Sequence, residues 1–412
     1  MANETKRVPE LRFSQFDKEW KKTTIADIGE FYYGRSAPKW SITDDATIPC
    51  VRYGELYTKH KGTVKEIYSY TNIDRNKLRF SKGGEILIPR VGEDPMDFAK
   101  CSYLPFSGVA IGEMISVYNT DQNPVFITAY FNSQMKYEFA KRVEGASVSN
   151  LYYSYLKDIN LRIPTIEEQQ KIGEFFSKLD RQIELEEEKL ELLEQQKRGY
   201  MQKIFSQEVR FKDDNGNSYP EWESAPLFDI FSATKGKSLS KDKISDDGKY
   251  ECILYGEIYT TYEEKIESIV SRTNYYEGIL SQKNDLIFPN STTTNAWDLA
   301  TFSSLQKNNV LIGGDISILR TKRSDISSLF YAYYLTNYLK LRKDIAKYAQ
   351  GITIVHLSFN NFCKIKVQIP SLEEQNSITD FIDTLNQQQK LIANKIKLLK
   401  ERKQGLLQKM FV

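Results

Sequence analysis

Few side chains in this 412-residue chain are spaced for covalent or acid–base chemistry. Its two histidines, His60 and His356, and four cysteines, Cys50, Cys101, Cys252 and Cys363, show no CxxC or Cys/His ligand spacing. Neither a zinc site nor a disulfide framework is expected, and the thiols read as reduced and buried. Gly236-Lys237-Ser238 has the tail of a phosphate-cradling loop, but that loop needs glycine five residues before Gly236, where Phe231 stands. The fragment reads as a turn. Asn123-Pro124-Val125-Phe126 partly matches an Asn-Pro-Pro-Tyr catalytic motif, yet it lacks the second proline and no Gly-rich loop precedes it. It reads as a helix start, where proline's missing N–H costs nothing.

What remains is hydrogen-bonding chemistry, and its positions emerge from a duplication. Ile163–Phe205 and Ile369–Phe411 align without a gap, sharing Ile-Pro, Glu-Glu-Gln, a Leu-Leu pair and a closing Gln-Lys-x-Phe. Trp20–Lys39 parallels Trp222–Lys241. Cys50–Tyr57 (CVRYGELY) parallels Cys252–Tyr259 (CILYGEIY), and Glu85–Gly92 (EILIPRVG) parallels Asp285–Thr292 (DLIFPNST). Gly112-Glu113 is matched to Gly314-Asp315. The halves differ at turns just after shared strands. Arg52 faces Leu254, Arg90-Val91-Gly92-Glu93 faces Asn290-Ser291-Thr292-Thr293, and Asp94-Pro95-Met96 faces Thr294-Asn295-Ala296. Arginine suits bidentate contact with guanine and asparagine with adenine, whereas Lys, Ser and Thr suit phosphates. Taken singly these are ordinary solvated loops. As a set they point to two modules that recognise different things in the same way.

The elements that must position these turns are β-rich modules of short runs broken by Gly, Pro, Asn and Ser, with late helical segments at Phe126–Val143 and Ile326–Lys347. Long charged helices follow each module. In the first, Ile172, Phe176, Leu179, Ile183, Glu186, Leu190 and Leu193 step by four and three. In the second, Ile378, Ile382, Leu385, Gln389, Ile392, Ile396 and Leu399 do the same. That is the seam of a coiled coil. Glu167–Lys203 carries ten acids against seven bases and Glu373–Lys409 five against seven, a bias that favours pairing the helices with each other over homodimerisation. An antiparallel pair would make a spacer; a parallel one would bring both modules to one end. Net charge is +2, with 23 Lys/Arg against 20 Asp/Glu in residues 1–162 and 20 against 20 in residues 206–368, so any nucleic-acid contact must use local basic surfaces. No apolar stretch is long enough for a membrane span, and the start shows no apolar signal core, which leads to an expectation of a cytoplasmic protein.

The order of β-rich module and Ile-Pro-x-x-Glu-Glu-Gln helix, given twice, resembles the specificity subunit of Type I restriction-modification systems. Ile163-Pro164…Glu167-Glu168-Gln169 and Ile369-Pro370…Glu373-Glu374-Gln375 carry the likeness, with the Gly199–Phe205 and Gly405–Phe411 ends, the opening PELRF…W and the Gly34–Pro38 turn. The resemblance implies an α+β fold of two pseudo-symmetric target-recognition domains, at 1–162 and 206–368. Spacer helices at 163–205 and 369–412 would pack as an antiparallel coiled coil. It further implies a non-catalytic reader of double-stranded DNA, each domain reading half of an asymmetric bipartite site. One copy would dock two methylation subunits, with restriction subunits joining. No cofactor is expected on this chain: S-adenosylmethionine belongs to the methylation subunit, ATP and Mg to the restriction subunit. Within that frame the expected DNA contacts are Arg35, Lys39, Arg52, Lys59 and Arg90 in the first module. In the second they are Lys235, Lys237, Lys241, Asn290, Thr292 and Asn295. A single-chain methyltransferase-nuclease would need a cofactor loop that the sequence lacks. A coiled-coil adaptor without DNA would bind its partners without the salt dependence of phosphate contacts.

Overall fold

A computed structural model describes residues 8–145 and 147–412. The chain folds as two compact units, Met1–Glu187 with Asn394–Val412 and Glu188–Ala393. Each is an α+β module with one end of each long helix attached.

In the first unit an antiparallel sheet runs in the order Gly29–Tyr33, Ile115–Thr120, Glu85–Pro89, Ser102–Leu104. A second sheet has the order Ser69–Thr71, Ile48–Val51, Ser107–Ile111, Phe80–Lys82, with a parallel pair at Cys50↔Ala110. Glu85–Pro89 is buried along its whole length because both of its faces are covered. Side chains alternate across a strand. Accordingly Ile86 and Ile88 join the core that holds Trp20, Phe126 and Phe131, while Leu87 joins Val51, Leu104 and Val117 on the other face. The second unit repeats this around Asp285–Pro289: Leu286 and Phe288 face Trp222 and Phe330, and Ile287 faces Ile253 and Ile312. Its main sheet gains a fifth strand, Lys265–Ile266. The late helical segments are each broken in two, Pro124–Gln134 with Lys136–Ala140 and Ser328–Asn337 with Leu339–Ala346.

One sequence match shifts by a residue. Arg35 N donates to Ile111 O and Lys237 N to Ile312 O, so Gly112 corresponds to Gly313 rather than Gly314. Spacing alone misled here because Gly313-Gly314 offers two candidates. Packing decides: a Cβ on Gly34 would run into the Gly112 carbonyl, and one on Gly236 into that of Gly313. The turn bearing Arg35 or Lys237 can close only with glycine on that contact.

The long helices span Ile166–Phe205 and Leu372–Met410. Each starts in its own module's core and ends in the other's. Ile172 and Phe176 share the first core with Met410 and Phe411, whose ring lies 5.3 Å from Phe126 and 5.9 Å from Phe176. Ile378 and Ile382 share the second core with Met201, Ile204 and Phe205. The pairing is antiparallel in both units. In the first, Leu179 and Ile183 pack with Leu399, Asp180 meets Lys403 at 2.5 Å, Glu187 meets Lys400 at 2.6 Å, and Glu186 meets Lys395. In the second, Tyr200 and Phe381 lie edge to face at 5.6 Å. The seam is therefore shorter than its periodicity: Ile172, Phe176, Ile378 and Ile382 belong to the module cores. Leu385, Ile392 and Ile396 are buried, and Leu190 and Leu193 half-buried.

The Glu-Glu-Gln motif is the clamp between module and helix. Glu168 is 1% exposed and takes two bonds from Arg12, at 2.7 and 2.6 Å. Glu374 is 0% exposed and takes the same pair from Arg210 at 3.2 and 2.9 Å, plus Trp222 Nε1 at 2.8 Å. Gln169 accepts from Asn123 N and donates to Pro164 O; Gln375 accepts from Ser327 N and donates to Pro370 O. The buried carboxylate needs its arginine, which explains why PELRF and QEVRF recur ahead of each module. Among the described residues no helix is long and apolar enough to cross a membrane.

Candidate nucleic-acid interface

The differing turns occupy equivalent places built by equivalent backbone. Arg90 N donates to Met114 O at 3.0 Å, and Leu151 N to Arg90 O at 2.9 Å. Asn290 N donates to Asp315 O at 2.6 Å, and Leu357 N to Asn290 O at 2.8 Å. Each residue then leads into a short ribbon, Val91–Gly92 with Ser149–Asn150 or Ser291–Thr292 with Val355–His356. The frame is the same and the side chain is different.

Arg90 is half-buried, its guanidinium 4.9 Å over the Tyr33 ring and its Nη2 3.1 Å from Met114 Sδ. Its Nε is buried without a partner among the described residues. Stacking on the ring holds the planar fork in one orientation, as bidentate recognition requires. Asn290 is 4% exposed, and neither polar atom of its amide has a partner among the described residues. It lines a cavity of about 120 Å³ with Lys235, Asp315, His356 and Asn361. Lys235 stands where Tyr33 does, since Tyr33 pairs with Ser116 and Lys235 with Ser317.

The other expected contacts divide into free and committed groups. Arg35, Lys39, Lys59, Lys235, Lys237 and Lys241 are exposed, Lys59 lying 5.4 Å over the Tyr68 ring. Arg52 is half-buried where its chain turns into the helix Tyr53–Thr58, with its own N–H on Glu55 at 2.7 Å. Thr292 is 0% exposed, its hydroxyl on Tyr259 OH at 3.2 Å and Thr294 at 2.8 Å. Asn295 caps the helix Ala296–Leu299, accepting from Trp297 N and Asp298 N and donating to Asp298 Oδ2. The polar groups of both residues hold the loop, Thr292 from within it and Asn295 at its exposed surface.

Sequence reasoning passed over a bridge in each module, Glu144↔Asn150 and Gln350↔His356. Gly145 and Gly351 take φ of +116° and +128° there, a region open to glycine at no steric cost. Ile352 is wholly exposed and Val148 largely so. The recurring Gly, 206 residues apart, was the available signal. Trp40, also strongly exposed, stands beside Lys39. The cysteines match their structural reading: Cys50, Cys101 and Cys252 are buried, Cys363 partly so. Burial pushes the Cys50 thiol up to about 12 and Cys252 to about 11.

Known proteins fall in line with this architecture. The family model for the type I restriction modification DNA specificity domain matches twice, over residues 17–195 and 219–401. The chain belongs to that family: it is a DNA-recognition subunit with two recognition domains and is not itself the catalyst. It is 21% identical over 311 residues to the type I restriction enzyme MjaVIII specificity subunit of Methanocaldococcus jannaschii, covering 69% of each chain. It is 23% identical over 262 residues to the putative MjaX specificity subunit of the same organism, covering 62% of this chain and 58% of that one. The crystal structure of a type I restriction-modification S subunit from M. genitalium superposes with a TM-score of 0.58 at 16% identity, over 98% of this chain and 99% of that one. A structure describing assembly and conformational transition of the type I R-M system gives 0.59 at 14%, over 95% and 97%.

Proposed function

We propose that each module reads one half of an asymmetric, bipartite site on double-stranded DNA and that the paired helices set the gap between the halves. The observation that carries this is the Arg90/Asn290 equivalence. One backbone frame holds a stacked guanidinium fork in one module and, in the other, an amide buried in a small cavity with no partner among the described residues. These side chains are of the types suited to guanine and to adenine. Arg35, Lys39, Lys59, Lys237 and Lys241 supply phosphate contacts, which fix position without reading sequence. Residues 1–162 and 206–368 act as exchangeable recognition domains, with 163–205 and 369–412 as the common spacer.

One copy of the chain docks two methylation subunits on the helix faces away from the seam, and restriction subunits complete the complex. S-adenosylmethionine then belongs to the methylation subunit, ATP and Mg to the restriction subunit, and the assembly works in the cytoplasm beside the chromosome. Co-expression with the neighbouring methylation subunit, in a host without other adenine methylation, tests the reading by mapping modified adenines. A single motif with two unlike halves and a fixed gap is expected. A stable complex with no methylation would instead favour an adaptor that binds protein alone.

A further inference from the structure

The two modules differ at one place that DNA reading does not use. In the first unit, a cleft of about 570 Å³ opens between the module and the helices, floored by Leu56, Val125, Ala129, Phe176 and Leu407. In the second unit the same place is filled. The correspondence is fixed by shared bonds: Asn123 and Ser327 cap their helices, and Asn132 and Thr336, nine residues on, both bridge the backbone of the adjoining strand. Ala129 therefore stands where Tyr333 does, and by the common helix offset Ser177 stands where Asp383 does. Thr63 matches Lys265, since Thr63 bridges Tyr103 as Lys265 pairs with Ser304.

Tyr333 is 1% exposed; its hydroxyl donates to Asp383 at 2.7 Å and accepts from Asn386 at 2.9 Å, while Lys265 holds the other Asp383 oxygen at 2.9 Å. The second module thus seals its cleft with a phenol ring, a carboxylate and an ammonium. The first module has neither the ring nor, at Ser177, that carboxylate; Asp180 stands instead where Asn386 does and holds Lys403. Lys61, Lys65, Lys100, Lys136 and Lys403 line its cleft. Lys61 and Lys65 pair with Glu187 and Glu184, Lys100 with Asp97 and Lys403 with Asp180, so among the described residues Lys136 is the cation left there for a ligand. Lys136 is exposed and has no partner among the described residues. His60, 6% exposed in the wall, has a buried Nε2 without a partner there, whereas its counterpart Tyr262 accepts from Val270 N at 3.0 Å.

We propose that this cleft binds a small planar aromatic acid, a ring bearing a carboxylate, sulfonate or phosphate, which supplies in the first unit what Tyr333 and Asp383 supply in the second. The volume falls within the roughly 300–1,000 Å³ of small-ligand pockets, and an apolar floor with a few converging charges is their usual lining. The inference stands independently of the DNA reading, because none of these residues is among the proposed contacts.

The test is a fluorescence titration of the full chain with 8-anilinonaphthalene-1-sulfonate, a ring system carrying one acid group. Saturable binding of one probe per chain is expected. Ala129→Tyr, which copies the filling of the other module, should weaken it at least tenfold and leave the methylation motif unchanged. Lys136→Glu, a surface change that spares the core, should weaken it at least threefold. Wild-type affinity in either variant overturns the proposal, and if Ala129→Tyr fails to fold, Lys136→Glu alone decides. Displacement of the probe by added methylation subunit also overturns it, by assigning the cleft to a protein side chain.

Discussion

Arg90 and Asn290 show what one position can do when its surroundings are held constant. Tyr33 under Arg90 and Lys235 beside Asn290 are themselves equivalent, so the second module exchanges a stacked cation for a buried amide together with the group that supports it. Arg90→Ala should cost about 1–3 kcal/mol of discrimination at one base pair of one half-site and leave the other half-site intact. Methylation sequencing of the variant reads this directly; relaxation at both halves would contradict it. The turns bearing these residues were legible, because the halves diverge where their strands end. Which turn residues point outward was not. Thr292 has a type that contacts DNA, yet it is buried on Tyr259, and Asn295, though exposed, also caps a helix and bonds Asp298; such commitments depend on packing that no residue type encodes. Thiol chemistry gives a second check. With Cys50 and Cys252 held protonated by burial and Cys101 enclosed, iodoacetamide at neutral pH should label Cys363 alone in the folded chain. Labelling of Cys50 or Cys252 would show that the strands carrying them open.

The long helices were the most legible elements, since a seam of four-three steps survives any ignorance of loops. Their ends were not, because periodicity does not say what an apolar stripe packs against. Ile172, Phe176, Ile378 and Ile382 continue the seam in sequence but enter the module cores, where Phe411 and Phe205 meet them. The acid-rich and base-rich biases of the two helices became contacts of Asp180, Glu186 and Glu187 with Lys403, Lys395 and Lys400. Those contacts select the antiparallel pairing over the parallel one. A heptad inserted after Glu187, matched by one before Asn394, keeps the seam in phase and adds about 10 Å of helix at 1.5 Å per residue. The gap in the methylation motif should then lengthen by about three base pairs with both half-sites unchanged. An unchanged gap would remove the helices from the role of spacer.

At the scale of the whole molecule, duplication was plain from the first alignment, and it explains the absence of paired catalytic residues: what recurs is Trp, Gly, Ile-Pro and Glu-Glu-Gln. The asymmetry between copies was harder to see, because Ala129 against Tyr333 looks like an unremarkable substitution until the neighbouring acid and lysine are placed around it. Replacing residues 1–162 with another first module, keeping Arg12 or its equivalent for Glu168, should change one half of the methylation motif and preserve the other half and the gap. Loss of both halves would mean the modules do not read independently. DNA affinity of the swapped chain should still fall steeply between about 50 and 200 mM salt, as binding through phosphates requires.

The exchange of helix ends has a consequence in time. The first module's core includes Met410 and Phe411, which a ribosome supplies some 200 residues after Phe205. At roughly 5–20 residues per second, that module waits on the order of 10–40 s for its last wall. Until then Trp20, Phe126 and Tyr130 lack the ring that closes over them. The nascent chain thus carries a half-finished domain until the final turn of the second long helix has been made and releases it from that wait.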